Sequence, residues 1–165
     1  RSQGGRRLVV DRKEREFVER IGLFYETQGL PRIGGRILGL LILSEEPISL
    51  DGMVKRLGIS KASASVNARL FERLGFIERV AVPGERKDYY RFTERQWERF
   101  IESGVQRVEA VLDLARRGQR VSQHRPAVRR RFEQMERFYE LFLAHVREAV
   151  EEWRSHRRSQ PEGVE

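Results

Sequence analysis

The sequence has no cysteine in its 165 residues. That excludes a disulfide scaffold, a thiol redox switch and a cysteine-ligated zinc finger. Histidine is scarce: His124, His145 and His156 lie apart and without metal-ligand spacing, so neither a metal nor a cofactor is expected, and His145 reads as a partly covered surface side chain. Long apolar stretches are missing as well. The longest, residues 37–43, is far too short to cross a bilayer. The N-terminal arginines are followed by only Leu8, Val9 and Val10, so no secretory leader is read and a cytoplasmic location is expected. There is no nucleophile elbow, P-loop, dinucleotide fingerprint or HExxH. The glutamates are interleaved with arginines at helical spacing, the pattern of a solvated, ion-paired face, so no catalytic residue is named and an enzyme is not expected.

What the chain does have is positive charge. Against 25 acidic residues stand 33 lysines and arginines, a formal +8, which suits a polyanionic partner. Residues 51–92 hold nine basic and five acidic residues, whereas 93–118 hold five of each, which centres the expected field on the middle of the chain.

That middle segment, ISLDGMVKRLGISKASASVNARLFERLGFIERVAVPGERKDYYRFT over residues 48–93, reads as helix, turn, helix, strand, wing, strand. Ser49 caps a short helix over residues 50–57 that Gly58 stops, and Ser60 opens a second helix that Gly75 ends. At about 100° per residue, Val66, Leu70 and Leu74 fall on one face, read as the packing face. Lys61, Ala64, Ser65, Ala68 and Arg69 point the other way. A small, polar, cationic face is what a recognition helix presents to a major groove, because bulky residues would hold its axis away from the base edges. Residues 76–82 and 89–92 are β-rich runs joined by Pro83, Gly84, Glu85, Arg86, Lys87 and Asp88, a hairpin with a basic tip.

Helices flank this segment. Asp11 and Glu14 form a capping box for a first amphipathic helix ending near Gln28. Residues 35–44 form a nearly all-apolar helix in which Gly35 and Gly39 signal close packing. Thr93 and Gln96 form a second capping box for a helix running to about Arg117. Over residues 127–156, Val128, Phe132, Met135, Tyr139, Phe142, Val146, Ala149 and Trp153 alternate steps of four and three, a heptad seam in a helix of ~45 Å. A second copy of the chain is the expected partner of that seam; a hairpin with the preceding helix is the alternative. The connector over residues 118–126 and the tail from residue 155 are expected to be flexible.

SKASASVNARLFERLGFIERV followed by PGERKDYYRF resembles the MarR-type winged-helix regulators and, within them, the GbsR-like subgroup. The resemblance extends from about Phe17 to Leu114. MarR-type wings carry an Asp-x-Arg tip; here Gly84, Glu85 and Arg86 stand in that place, so Arg86 carries over as the minor-groove arginine and the bracing aspartate does not. The resemblance implies a homodimeric repressor joined through its terminal helices, with a small molecule bound between two lobes. For GbsR-like members it implies a response to choline or a related osmoprotectant.

The expected fold is mainly α with a small β-hairpin wing: an N-terminal helix over residues 11–33, a winged helix-turn-helix domain over 34–93, long dimerisation helices over 94–157 and a tail over 158–165. The expected partner is a pseudo-palindromic duplex. It would be contacted by Ser60, Lys61, Ser63, Ala64, Ser65, Asn67, Ala68 and Arg69 on the recognition helix, and by Arg79, Arg86, Lys87 and Arg91 on the wing. Phe24, Tyr25, Trp97 and Phe100 could form an aromatic cage for a cationic effector. Val128, Phe132, Met135, Tyr139, Phe142, Val146 and Trp153 would form the dimer seam. An architectural DNA-binding protein without effector, or a winged-helix module that binds proteins, are the alternatives.

Overall fold

The computed structural model describes residues 11–159. The stretch searched for a leader and the last residues of the polar tail lie outside them. The described chain separates into two compact units, one ending at Trp97 and one beginning at Glu98. Its elements run α1 (Arg12–Thr27), α2 (Arg32–Ile42), β1 (Ile48–Ser49), α3 (Leu50–Leu57), α4 (Lys61–Arg73), β2 (Glu78–Val80), β3 (Tyr89–Arg91), α5 (Gln96–Val121) and α6 (Pro126–Ser159). None of the described helices is long and apolar enough to cross a membrane.

In the first unit α1 starts at its capping box, where the Glu14 carboxylate accepts the Asp11 backbone N–H at 3.0 Å. It lies on α2 at very short range, and glycine makes this possible. A methyl group on Gly35 would fall 2.9 Å from the Gly22 Cα and from the Ile21 carbonyl oxygen, and one on Gly39 would fall 3.3 Å from the Val18 Cα. The two α2 glycines are therefore packing devices, as their spacing suggests. α2 begins three residues earlier than its apolar run implies, with Pro31 as its N-cap, and buries Ile37, Leu38, Leu40 and Leu41.

Ser49 caps α3 by accepting the Gly52 N–H at 3.1 Å, and Gly58 ends it at φ +62°. Ser60 caps α4 in the same way through the Ser63 N–H. The face of α4 departs from the sequence expectation at Ala64, Val66 and Ala68, while Lys61 and Arg69 are exposed as expected and Leu70 and Leu74 are half-buried. Ala64, Asn67, Ala68 and Phe71 are buried, and Val66 is 58% exposed. Phe71, the largest side chain on the helix, decides the matter: it anchors an i, i+3, i+4, i+7 stripe that packs on α2 and α3. A methyl on Gly34 would strike the Phe71 ring at 1.9 Å. Ala64 and Ala68 are small so that helices can approach each other.

The wing strands are shorter than their β-rich runs, three residues each, and pair in an antiparallel register of Glu78 with Arg91 and Val80 with Tyr89. A strand the sequence pattern did not reveal, β1, pairs with the outer side of β3 through Ile48 with Tyr90, giving the order β1-β3-β2. Tyr90 is thereby held in the core at 2% exposure.

In the second unit α5 and α6 run antiparallel. Arg116 pairs with Glu136 at 2.6 Å, Arg147 with Glu109 at 2.6 Å and Arg157 with Glu98 at 2.6 Å, so sequence separation widens steadily away from the turn. The connector expected over residues 118–126 is mostly helix. Gly118 is buried, and a methyl there would meet the Phe132 ring at 2.4 Å; Ser122 folds back onto the Gly118 carbonyl at 2.6 Å. The capping box expected at Thr93 does not form: α5 opens at Gln96, whose side-chain amide is buried without a hydrogen-bond partner. α6 continues through the start of the expected tail, to Ser159. Its packing stripe is centred on Leu143 and Val150, one residue away from the expected seam, because α5 covers one edge of a broad apolar band. Phe142 and Trp153, from the other edge, are 48% and 40% exposed.

Candidate nucleic-acid interface

The N-terminal half of α4 and the wing share one surface, and a single carboxylate shows it. Asp51, in the first turn of α3, lies 3.0 Å from the Lys61 Nζ at the start of α4 and 3.3 Å from the Lys87 Nζ on the wing. The Lys61 amine, and after it that of Lys87, holds the Asp51 carboxyl below the usual carboxylate range. Three elements that the sequence separates by up to 36 positions thus converge on one charge cluster. The sequence reading did not single out Asp51; its only signal was an acid at the second position of a capped helix, which the helix dipole alone explains.

The expected contacts divide into groups. Ser60, Lys61 and Arg69 are exposed, and Ser63 and Ser65 are half-buried at the same end of α4. Ala64, Asn67 and Ala68 point inward and cannot meet a base edge while the unit keeps this packing; the Asn67 amide instead donates to the Ser63 carbonyl at 2.9 Å. Val66 and Ala62 take their place on the outer face. On the wing, Arg79 lies 3.5 Å from Asp88 and 3.7 Å from Glu72, and Arg91 lies 2.6 Å from Glu78. Arg86 is exposed at the tip, two residues after Gly84, whose φ of +82° makes the turn. Among the described residues, Arg69 and Arg86 form no ion pair.

The aromatic residues expected to form a cage do not behave alike. Tyr25 sits edge-on between Phe71 at 5.6 Å and Phe76 at 5.1 Å, with burial pushing its phenol pKa up. Phe24 packs on Tyr25 and is 55% exposed; Trp97 packs on Phe92 and is 41% exposed. Phe100 belongs to the second unit. There it lines an apolar groove of about 460 Å³ with Ile101, Val108, Tyr139, Phe142 and Val146. Among the expected seam residues Val128, Phe132, Met135, Tyr139 and Val146 are half-buried in the hairpin. Among the described residues, no group of three or more His, Asp or Glu is placed to hold a metal ion.

Comparison with known proteins agrees with this geometry. Residues 28–88 match the model of the MarR family, and residues 95–156 match that of MmpR5-like MarR family transcriptional regulators. The chain is 35% identical over 117 residues to the HTH-type transcriptional regulator MmpR5 of Mycobacterium tuberculosis, covering 70% of this chain and 71% of the relative. It is 28% identical over 93 residues to the HTH-type transcriptional repressor OpcR of Bacillus subtilis, covering 56% of this chain and 50% of that protein. A crystal structure of a transcriptional regulator superposes with a TM-score of 0.81 at 30% identity, covering 87% of this chain and 99% of that one.

Proposed function

The chain belongs to the MarR family of transcriptional regulators, and from that membership we propose that it acts as a homodimeric repressor of a pseudo-palindromic operator whose grip on DNA is changed by a small molecule. The observation that carries the DNA-reading part is the Asp51 cluster, which sets the start of α4 and the wing on one surface. Lys61, Ser65 and Arg69 then face the major groove and Arg86 with Lys87 the adjacent minor groove, while Arg79 and Arg91 lie toward backbone phosphates. Val66 supplies an apolar contact for a thymine methyl where Ala68 had been expected. Dimerisation is supported by apolar side chains left uncovered on the second unit, among them Leu114, Phe138, Leu141 and Phe142. Repression is the role named for OpcR, and it comes to this chain by that likeness.

Selecting bound fragments from random duplexes tests this directly. A recovered inverted repeat with half-sites about one turn apart, ~34–36 Å, supports it. Binding without sequence enrichment makes the chain an architectural protein, and no binding at moderate salt makes it a protein-interaction module; either result overturns the proposal.

For the effector we propose a quaternary ammonium osmoprotectant such as choline, in line with the GbsR-like resemblance. The exposed faces of Phe24 and Trp97 support it, each worth ~0.5–2 kcal/mol toward a cation. Tyr25, committed to Phe71 and Phe76, offers less. Calorimetric titration with choline and glycine betaine, on the unaltered chain and on Trp97→Ala, should give heat that the variant weakens. No heat with the unaltered chain removes this effector.

A further inference from the structure

A cluster of free positive charge lies at the turn of the α5–α6 hairpin. Residues 114–132 contain seven arginines and no acidic residue. Three of the seven are neutralised: Arg116 by Glu136 and Glu140, Arg117 by Asp113, and Arg129 by Glu133. Arg120, Arg125, Arg130 and Arg131 are all exposed and form no ion pair among the described residues. On the winged surface, by contrast, Lys61, Lys87, Arg79 and Arg91 each have a carboxylate at 3.7 Å or less. Arg69 and Arg86 are the unpaired cations among the proposed contacts of that surface, whereas four unpaired arginines fall within residues 120–131 at the hairpin turn.

This placement is costly to the fold. α6 has no acidic residue in its first turn, and Arg129, Arg130 and Arg131 follow within its first six residues, where the helix dipole already contributes partial positive charge. Like charges so close together repel, and the repulsion is relieved when a polyanion binds. A cavity of about 310 Å³ at the turn is lined by Arg116, Gln119, Arg120, Gln123, Arg129 and Glu136, and of its three guanidiniums Arg116 and Arg129 are held by carboxylates while Arg120 is left free. A free guanidinium suits phosphodiester oxygens, which it can bind in bidentate fashion.

We propose that the α5–α6 turn is a second, sequence-independent contact for the phosphate backbone of duplex DNA. The choice of duplex DNA rests on the proposed function, which brings that polyanion to the chain. A membrane surface fits less well, because interfacial binding needs a broad apolar face beside the cations. From Gln119 to Arg131 the exposed large apolar side chain is Val121.

The test replaces Arg120, Arg125, Arg130 and Arg131 together by alanine, four exposed positions whose loss should leave the chain folded, with a melting temperature equal to or above that of the unaltered chain. On a scrambled duplex the unaltered chain binds with a steep salt dependence. The variant should bind at least tenfold more weakly at low salt, with a slope shallower by up to about 3.6 units, near 0.9 for each of four phosphates released. Affinity for the operator should fall by the same factor, leaving the preference for operator over scrambled duplex unchanged, because a contact that reads no sequence contributes equally to both. Equal affinity and slope on the scrambled duplex would overturn the proposal. So would unchanged DNA binding combined with lost binding to phosphatidylserine vesicles, which would assign the turn to a membrane. An Arg69→Ala, Arg86→Ala double variant separates this from failure of the operator reading: it reduces operator preference and leaves the turn's share of the salt slope in place.

Discussion

Among the cations of the winged surface proposed to touch DNA, Arg69 and Arg86 are the two without a carboxylate partner, so their loss should register most cleanly. Arg69→Ala should cost ~1–3 kcal/mol on the operator and little on a scrambled duplex, if the guanidinium meets a base edge. Arg86→Ala should weaken both duplexes together and make the salt slope shallower by ~0.9. Titrations at several salt concentrations distinguish the two, and identical behaviour of both variants on both duplexes would refute these roles. Asp51 carries a different expectation. Its carboxyl is held low by Lys61 and then Lys87 in the folded chain, so its stabilising effect is present above the unfolded carboxylate range and lost as pH falls through the lower folded value. The unaltered chain should therefore lose stability below about pH 4 more steeply than Asp51→Asn does. Thermal melts between pH 3 and pH 7 check this, and parallel acid limbs would show that the cluster does not matter for folding. At this scale the caps were plain from sequence, since Ser49, Ser60 and Gly58 act through their own backbone. The orientation of α4 was not, because alanine serves equally for close helix packing and for an open face toward DNA, and only the partner of Phe71 decides between them.

Helices were legible as elements wherever local periodicity and caps agreed, and misjudged where a neighbour set the boundary. β1 has two residues and no pattern of its own; it exists because Tyr90 needs a partner strand for its backbone. α5 runs past its expected end because Gly118 lets the Phe132 ring lie against its axis. The packing stripe of α6 could not be told from its neighbour, since both edges of the band are apolar and α5 takes only one. Glycine substitutions test these element contacts with opposite signs. Gly34→Ala puts a methyl into the Phe71 ring, itself fully buried, and should cost ~1–3 kcal/mol or more as the ring is displaced. Gly104→Ala, in the middle of α5, meets nothing nearer than the end of the Arg107 side chain at 3.7 Å and should gain ~0.5–1 kcal/mol from helix propensity. Chemical denaturation of both variants measures this. A tolerated Gly34→Ala would contradict the close approach of α2 and α4.

For the whole molecule, the heptad seam divides into two tasks. One edge of the α6 band is satisfied within the chain, where Leu143 and Val150 are 6% and 7% exposed. The other, with Phe138, Leu141 and Phe142, is more than the α5–α6 hairpin can cover and is available to a second copy. The two edges should respond differently to substitution. Leu143→Ala opens a cavity inside the hairpin and should cost ~2–5 kcal/mol of stability, as large-to-small core changes do. Phe142→Glu should leave the hairpin folded, because the residue is already about half exposed, and should separate the dimer, because an unpaired carboxylate in a dry interface costs several kcal/mol. Two recognition helices must reach successive major grooves ~34–36 Å apart, which a monomer cannot do, so Phe142→Glu should also lose most of its affinity for a full operator while keeping that for a half-site. Light scattering gives the oligomeric state and anisotropy on full and half-site duplexes gives the affinities. A folded Phe142→Glu that remained dimeric, or a monomer that bound the full operator undiminished, would remove α6 from the assembly proposed for it.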